Sequence, residues 1–321
     1  MLNTVKYSAV LLLALLLLGS PAAFAQDYFN QEAMEAVLDG NRMLLDNIPE
    51  VTYDYYTWVD HSGLMNGAMA RNSFYRFIGD GNGFVGKQRG KLVEMINRQH
   101  LQDMRLGDRI IIPRLGQFDL DFRAYSPFPK YYAGGADFDK LFVIDKSIQA
   151  FAAYTHGKLE RWGVVNTGAE GSRTPNGRYN FNWKTEFRVS SLSPPGERWE
   201  MYWVFNFHEA RGIHVHQYAM PTGGPRSHGC VRLIEADARW IYDWADQWRI
   251  SNSSRGYRSG RGTVVEPGTT VIVIGEDPAG APSLFDDRDG YPQIRRSVLP
   301  DNPMDLPAGT PQQKYFDRVR G

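Results

Sequence analysis

Three textures of apolar and polar residues succeed one another along the chain. Between Asp27 and about Leu115, helical patterns alternate with turn clusters. Gln31 to Leu45 places apolar residues at near-helical spacing, with Gly40 as a weak point. Gly79-Asp80-Gly81-Asn82-Gly83 reads as a loop, and Lys91 to Arg98 as a short helix. Leu106-Gly107-Asp108-Arg109 then turns into a compact strand, Ile110-Ile111-Ile112-Pro113. From about Tyr131 the period shortens to that of strands. Leu141 to Asp145, Gln149 to Tyr154, Lys158 to Asn166, Tyr202 to Phe207 and Thr270 to Ile274 are apolar, β-branched or aromatic runs, with His156-Gly157 as a hairpin-like turn. One helix interrupts them, Glu235 to Trp248, with Ala238, Ile241, Tyr242 and Ala245 on one stripe.

The pattern predicts a mainly β chain: a β-sandwich or barrel with one packed helix over 131–276, preceded by a small α+β region over 26–130. Ser251 to Gly262 is a polar, basic, glycine-rich insertion that reads either as a lid or, the favoured reading, as a solvated loop. Residues 277–321 are rich in proline and aspartate, and a peripheral tail is expected there.

The first 25 residues read as a secretory leader rather than as fold. Lys6 gives the positive start, Ala9 to Leu18 the apolar run, and Ala23-Phe24-Ala25 the small-x-small cleavage site. The run is shorter than the ~20 residues a permanent membrane helix needs, so stable membrane insertion after leader removal is not expected. The 36 basic and 36 acidic residues balance, and no basic excess marks nucleic acid as a partner. Eight Trp and seventeen Tyr suit a β-rich core or a carbohydrate-facing surface.

Export changes the meaning of the single cysteine. Exported chains usually use cysteines in pairs, and Cys230 has no partner within its chain. It closes Ser227-His228-Gly229-Cys230, sixteen residues beyond His214. A thiol, an upstream imidazole and a glycine turn are the parts of an acyl-transfer site. The imidazole deprotonates the nucleophile, and backbone N–H groups of His228, Gly229 and Cys230 are natural donors to the carbonyl oxygen under attack. His214 and His216 should share one face of a strand end, as should His228 and Cys230 across the Pro221-to-Pro225 loop.

Here the chain resembles the L,D-transpeptidase catalytic domain of the YkuD type. Gly212-Ile213-His214 followed by Ser227-His228-Gly229-Cys230-Val231-Arg232-Leu233 carries the likeness. So do Phe142-Val143-Ile144-Asp145, Gln149, Tyr154-Thr155-His156-Gly157, Thr167-Gly168, Thr174-Pro175-Asn176-Gly177 and Pro267 to Val271, in the family's order. The resemblance implies action on peptidoglycan stem peptides. Cys230 would attack the carbonyl joining the third stem residue to the following D-alanine, and a second stem's amine would resolve the thioester into a 3→3 cross-link. It implies no cofactor, acylation by carbapenems, and a periplasmic or cell-envelope setting.

By matching position the resemblance makes Cys230 the nucleophile and His214 the base and acid, with Ser227, His228, Gly229 and Arg232 lining the site. Arg232 is either a partner for a substrate carboxylate or a brace for the loop. Where the family often has glycine, whose carbonyl orients the imidazole, this chain has Val215. His216 has no settled counterpart and reads as a surface strand histidine, a substrate contact or a substitute base, the first being favoured. Lys91 to Pro113 resembles the second half of a LysM module, a peptidoglycan-binding unit.

Three alternatives stand beside transpeptidation. The same site would support an L,D-carboxypeptidase that hydrolyses the thioester. His208, His214, His216, His228 and Cys230 include the H-x-H and H-x-C pairs zinc accepts. A non-catalytic wall-binding protein is the third.

Overall fold

The computed structural model describes residues 48–60, 63, 66–218 and 222–320. The leader and the helical pattern at Gln31 to Leu45 lie outside the described residues, as does Pro221 in the loop before Cys230.

The N-terminal unit is a βααβ arrangement. Strand β1 (Tyr53–Thr57) pairs antiparallel with β2 (Arg109–Pro113), and helices α1 (Gly67–Ile78) and α2 (Gly83–Asn97) lie between them in sequence. Asn66 and Asn82 cap the two helices, each side-chain oxygen accepting backbone N–H groups of the first turn. The second helix starts eight residues before the Lys91 expected from periodicity. Its glycines explain why. A β-carbon on Gly86 would fall 1.7 Å from the carbonyl oxygen of Tyr75, so residues of low helical propensity are what let the two helices touch. Ala70, Phe74 and Ile78 of α1 are buried together with Tyr56, Trp58, Leu92 and Ile96. Arg98, just past α2, has φ 55°, a conformation a non-glycine residue enters at a cost of ~1–2 kcal/mol.

The larger unit is a sandwich of two sheets, with no closed barrel. Strands β3 (Lys140–Asp145), β4 (Ala150–Thr155), β5 (Lys158–Val164) and β6 (Gly177–Asn180) join β14 (Thr270–Ile274) in a five-stranded sheet of order β5-β4-β3-β14-β6. Positive φ at both His156 and Gly157 makes the two-residue turn between β4 and β5. Strands β7 (Lys184–Val189), β8 (Glu200–His208), β9 (Ile213–Gln217) and β10 (Val231–Leu233) form the second sheet, order β10-β9-β8-β7. Helix α3 (Glu235–Trp244) packs on it, ending four residues before the Trp248 expected from the sequence. A buried Arg161–Asp237 pair, 2.9 Å apart, ties α3 to β5. Phe142, Ile144, Phe151, Phe205, Phe207, Val215, Ile241, Val271 and Val273 fill the space between the layers.

The insertion expected as a solvated loop folds into strands β11 (Arg249–Ser251), β12 (Tyr257–Ser259) and β13 (Gly262–Glu266), a separate sheet of order β11-β13-β12. Strand β14 (Thr270–Ile274) follows, with the limits its apolar run predicts. The final stretch is more ordered than its composition implies. A hairpin of β15 (Phe285–Arg288) and β16 (Tyr291–Ile294) packs Phe285 edge-on against Tyr53, ring centres 4.7 Å apart. Helix α4 (Pro311–Arg320) is fastened by paired Arg178–Asp317 hydrogen bonds of 2.8 and 2.9 Å. Scattered anchors, Leu284, Phe285 and Phe316, hold this stretch down, and such spacing leaves no period to read.

Candidate active site

Strand pairing brings the thiol and the imidazole together. β9 and β10 run parallel with Val215 opposite Val231. The residues just before that pair, His214 and Cys230, therefore lie side by side at the start of two neighbouring strands. Cys230 Sγ lies 3.6 Å from His214 Nδ1 and 3.8 Å from the Gly212 carbonyl oxygen.

The imidazole is buried, and desolvation, reinforced by His216, Arg188 and Arg261, pulls its pKa down to about 3. These effects favour the neutral imidazole, the form that can accept a proton. Its Nε2 is buried and has no hydrogen-bond partner among the described residues. A carbonyl brace at Val215 is thus not made; instead Trp183 packs edge-on against the ring, centroids 5.2 Å apart. Burial likewise pushes the Cys230 thiol up, opposed by the His214 backbone N–H and by Arg232 and Arg188. Both shifts favour the uncharged forms, and the cysteine keeps partial solvent access.

The turn before Cys230 is held from below. Gly229 has φ 115°, open to glycine and strained for any other residue. Its N–H donates to Ser227 Oγ at 3.0 Å, while Ser227 Oγ donates to the Cys230 carbonyl. This removes the Gly229 amide from the three oxyanion donors expected. The amides of His228 and Cys230 have no acceptor among the described residues and remain for that task. Beneath, Thr174 Oγ1 donates to the Gly229 carbonyl at 2.8 Å and accepts from Gly168 N–H at 3.0 Å. Lys146, paired with Asp277, donates to the Thr174 carbonyl at 2.9 Å.

The other candidates separate by position. His228 stacks on Trp199 from the β7–β8 loop, ring centres 5.5 Å apart. Arg232 places its guanidinium over Tyr218, 4.5 Å from the ring, which favours the bracing role. His216 is 3 % exposed, and its Nδ1 lies 2.7 Å from the Gln217 carbonyl oxygen. The favoured surface reading for His216 fails because all five residues of β9 are buried, so this strand has no water-facing side. His208 packs on Tyr179. Among the described residues, no three His, Cys, Asp or Glu side chains gather as metal ligands. Sequence reasoning missed Trp183, Arg188, Trp199 and Arg261, whose proximity to the site depends on loops that only the fold brings together.

Residues 139–273 match the family model of the L,D-transpeptidase catalytic domain, named YkuD. No curated protein matches the chain. Among solved structures, the chain is similar to an L,D-transpeptidase from Stackebrandtia nassauensis at 23% identity, covering 43% of this chain and 57% of that one, TM-score 0.32. An L,D-transpeptidase from Mycobacterium smegmatis follows at 20% identity, with coverage of 43% and 59% and TM-score 0.32. One from Mycobacterium tuberculosis is 21% identical, with coverage of 43% and 58% and TM-score 0.31. The chain thus spans less than two thirds of the length of each of these proteins. The stretch that matches the family model takes in both His214 and Cys230.

Proposed function

We propose that this protein is an exported L,D-transpeptidase that works on peptidoglycan stem peptides through a Cys230 thioester. The observation that carries the reading is the 3.6 Å approach of Cys230 Sγ to His214 Nδ1 beside the unengaged amides of His228 and Cys230. His214 Nδ1 takes the thiol proton as sulfur attacks the carbonyl carbon of the third stem residue. The tetrahedral oxyanion forms against the two amides, each worth ~3 kcal/mol in the transition state. Collapse breaks the C–N bond, and His214 returns the proton to the departing D-alanine amine. An acceptor amine then attacks the thioester, passing its proton through His214 to the leaving thiolate. This forms the 3→3 cross-link and restores the thiol.

The surrounding units have supporting roles in this proposal. The βααβ unit within 26–130, whose Lys91 to Pro113 stretch resembles the second half of a LysM module, holds the wall. Residues 131–276 perform the chemistry, and 277–321 fasten the two together. The setting is the periplasm or cell envelope; among the described residues no helix is long and apolar enough to cross a membrane.

The test is intact mass after incubation with a carbapenem, beside Cys230→Ala and His214→Ala. A stoichiometric adduct that needs Cys230 and slows without His214 is expected. No adduct on folded, reduced protein would overturn the catalytic reading. Muropeptide products then separate outcomes: dimers with 3→3 links support transfer, and tripeptides alone support hydrolysis.

A further inference from the structure

Two arginines from separate elements converge beside the catalytic histidine. Arg188 is on β7, and Arg261 is in the turn between β12 and β13 of the inserted sheet. Both guanidiniums lie on the indole of Trp183, Arg261 at 4.1 Å from the ring centre and Arg188 at 5.2 Å. Trp183 in turn packs edge-on against His214. Among the described residues neither arginine forms an ion pair, whereas Arg89, Arg114, Arg178, Arg249 and Arg295 all do. The acidic group that bears on Arg261 is Glu209, which also takes a hydrogen bond from the Gly260 backbone.

Two guanidiniums without an ion-pair partner among the described residues, both against the indole that packs on His214, are built for an anion. The planar fork of arginine matches a carboxylate with two parallel hydrogen bonds, and stacking on Trp183 fixes the plane of each fork. A single residue beyond the scissile bond carries its carboxylate about one residue length, ~3.5 Å, from the leaving nitrogen. His214 must reach that nitrogen to protonate it, and the two arginines flank the ring on which His214 packs. Arg232, the carboxylate partner considered from sequence, has its guanidinium on Tyr218 instead.

We infer that Arg188 and Arg261, aligned by Trp183, form a subsite for the free C-terminal carboxylate of the departing residue, selecting donor peptides that end one residue past the bond to be cut. The inference rests on the acyl-transfer reading above. It gives the inserted sheet a purpose, since β12 and β13 carry Arg261 to the site.

The experiment compares two donors, a stem tetrapeptide with a free D-alanine carboxylate and its C-terminal amide, on the mature protein. Wild type, Arg188→Gln, Arg261→Gln and the double variant are measured for D-alanine or D-alaninamide release. Lysine replacements serve as the conservative pair. Wild type should prefer the free acid. Each glutamine variant should lose about tenfold in kcat/KM on the acid, the size of one charge-assisted hydrogen bond of ~1.5 kcal/mol, and little on the amide. Lysine should restore part of the loss. An equal loss on both donors, or no loss, would overturn the subsite while leaving the acyl-transfer reading intact. Release from neither donor by wild type, together with no carbapenem adduct, would overturn that reading itself and the subsite with it.

Discussion

The guanidinium of Arg98, at the end of α2, donates to the carbonyl of Gly223, 125 residues later in the loop that leads to Cys230, at 3.4 Å. The same side chain donates to the carbonyls of Ile148, Gln149 and Pro282. Gln149 continues the path, donating to Thr167 Oγ1 at 2.7 Å, and the Thr167 carbonyl accepts the Ser227 N–H at 3.0 Å. The N-terminal unit is therefore wired into the wall of the catalytic turn. Burial disfavours the Arg98 cation, and the four carbonyls compensate.

Replacing Arg98 with Met leaves the carbonyls of Gly223, Ile148 and Pro282 without this donor, while that of Gln149 keeps the Val165 N–H. A loss of ~3 kcal/mol in unfolding free energy is expected, the usual scale for breaking a buried charged network. Gly223→Ala should also destabilise: φ is 73°, and the new β-carbon would lie 2.3 Å from Arg98 Cδ. Because the two residues touch, the Arg98→Met/Gly223→Ala double variant should lose less than the sum of the singles. Denaturant unfolding of the four proteins measures this, and strict additivity would show that the contact carries no coupling.

Acid should weaken the protein through its buried histidines. Burial lowers the pKa of His214 to about 3 and of His216 to about 4, and it lowers His208 as well. In the unfolded chain each returns to ~6.5, so between these values the unfolded state binds more protons. Stability is complete above pH ~6.5 and falls as pH drops through this window. His216→Asn should flatten the decline in melting temperature between neutral and mildly acidic pH, and an unchanged slope would refute the assignment.

The thiol predicts a second pH signature. With Cys230 raised by burial and His214 neutral, alkylation by iodoacetamide should be slow at neutral pH and climb only above about pH 8.5, the ordinary cysteine value. The acid limb of kcat/KM for the donor peptide should lie well below pH 6.5, the unperturbed histidine value. A thiolate–imidazolium resting pair would instead alkylate readily at neutral pH and level off there.

Some features were legible because one residue pattern dominates them. β14 keeps the limits of its TVIVI run, since β-branched residues buried on both faces leave little else to read. His214 and Cys230 were legible as a pair because each sits at the start of a short strand, His214 as the second residue of β9 and Cys230 just before β10, and the parallel register aligns them. The start of α2 was hidden by Gly83 and Gly86, chosen for contact with α1 rather than for helix propensity. His216 misled for a related reason: alternation cannot show that a strand is covered on both sides. Arg188, Arg261 and Trp183 are invisible as a group because two hairpins must fold before they meet.

Thr174 was legible only as part of a family segment, yet its hydroxyl has a definite mechanical task. It accepts from Gly168 N–H and donates to the Gly229 carbonyl, linking the loop before β6 to the residue that precedes the nucleophile. Valine keeps the shape and removes both bonds, leaving a buried N–H and a buried carbonyl unpaired at a cost of ~1–3 kcal/mol. The Gly229 peptide adjoins the amides of His228 and Cys230, so its tilt moves the oxyanion donors. Thr174→Val should slow Cys230 acylation by about tenfold or more, because small displacements of positioned groups cost that much. Thr174→Ser retains the hydroxyl and should recover most of the rate. Stopped-flow acylation by a carbapenem reads both variants directly. If valine and serine behave alike, the hydroxyl does not hold the turn.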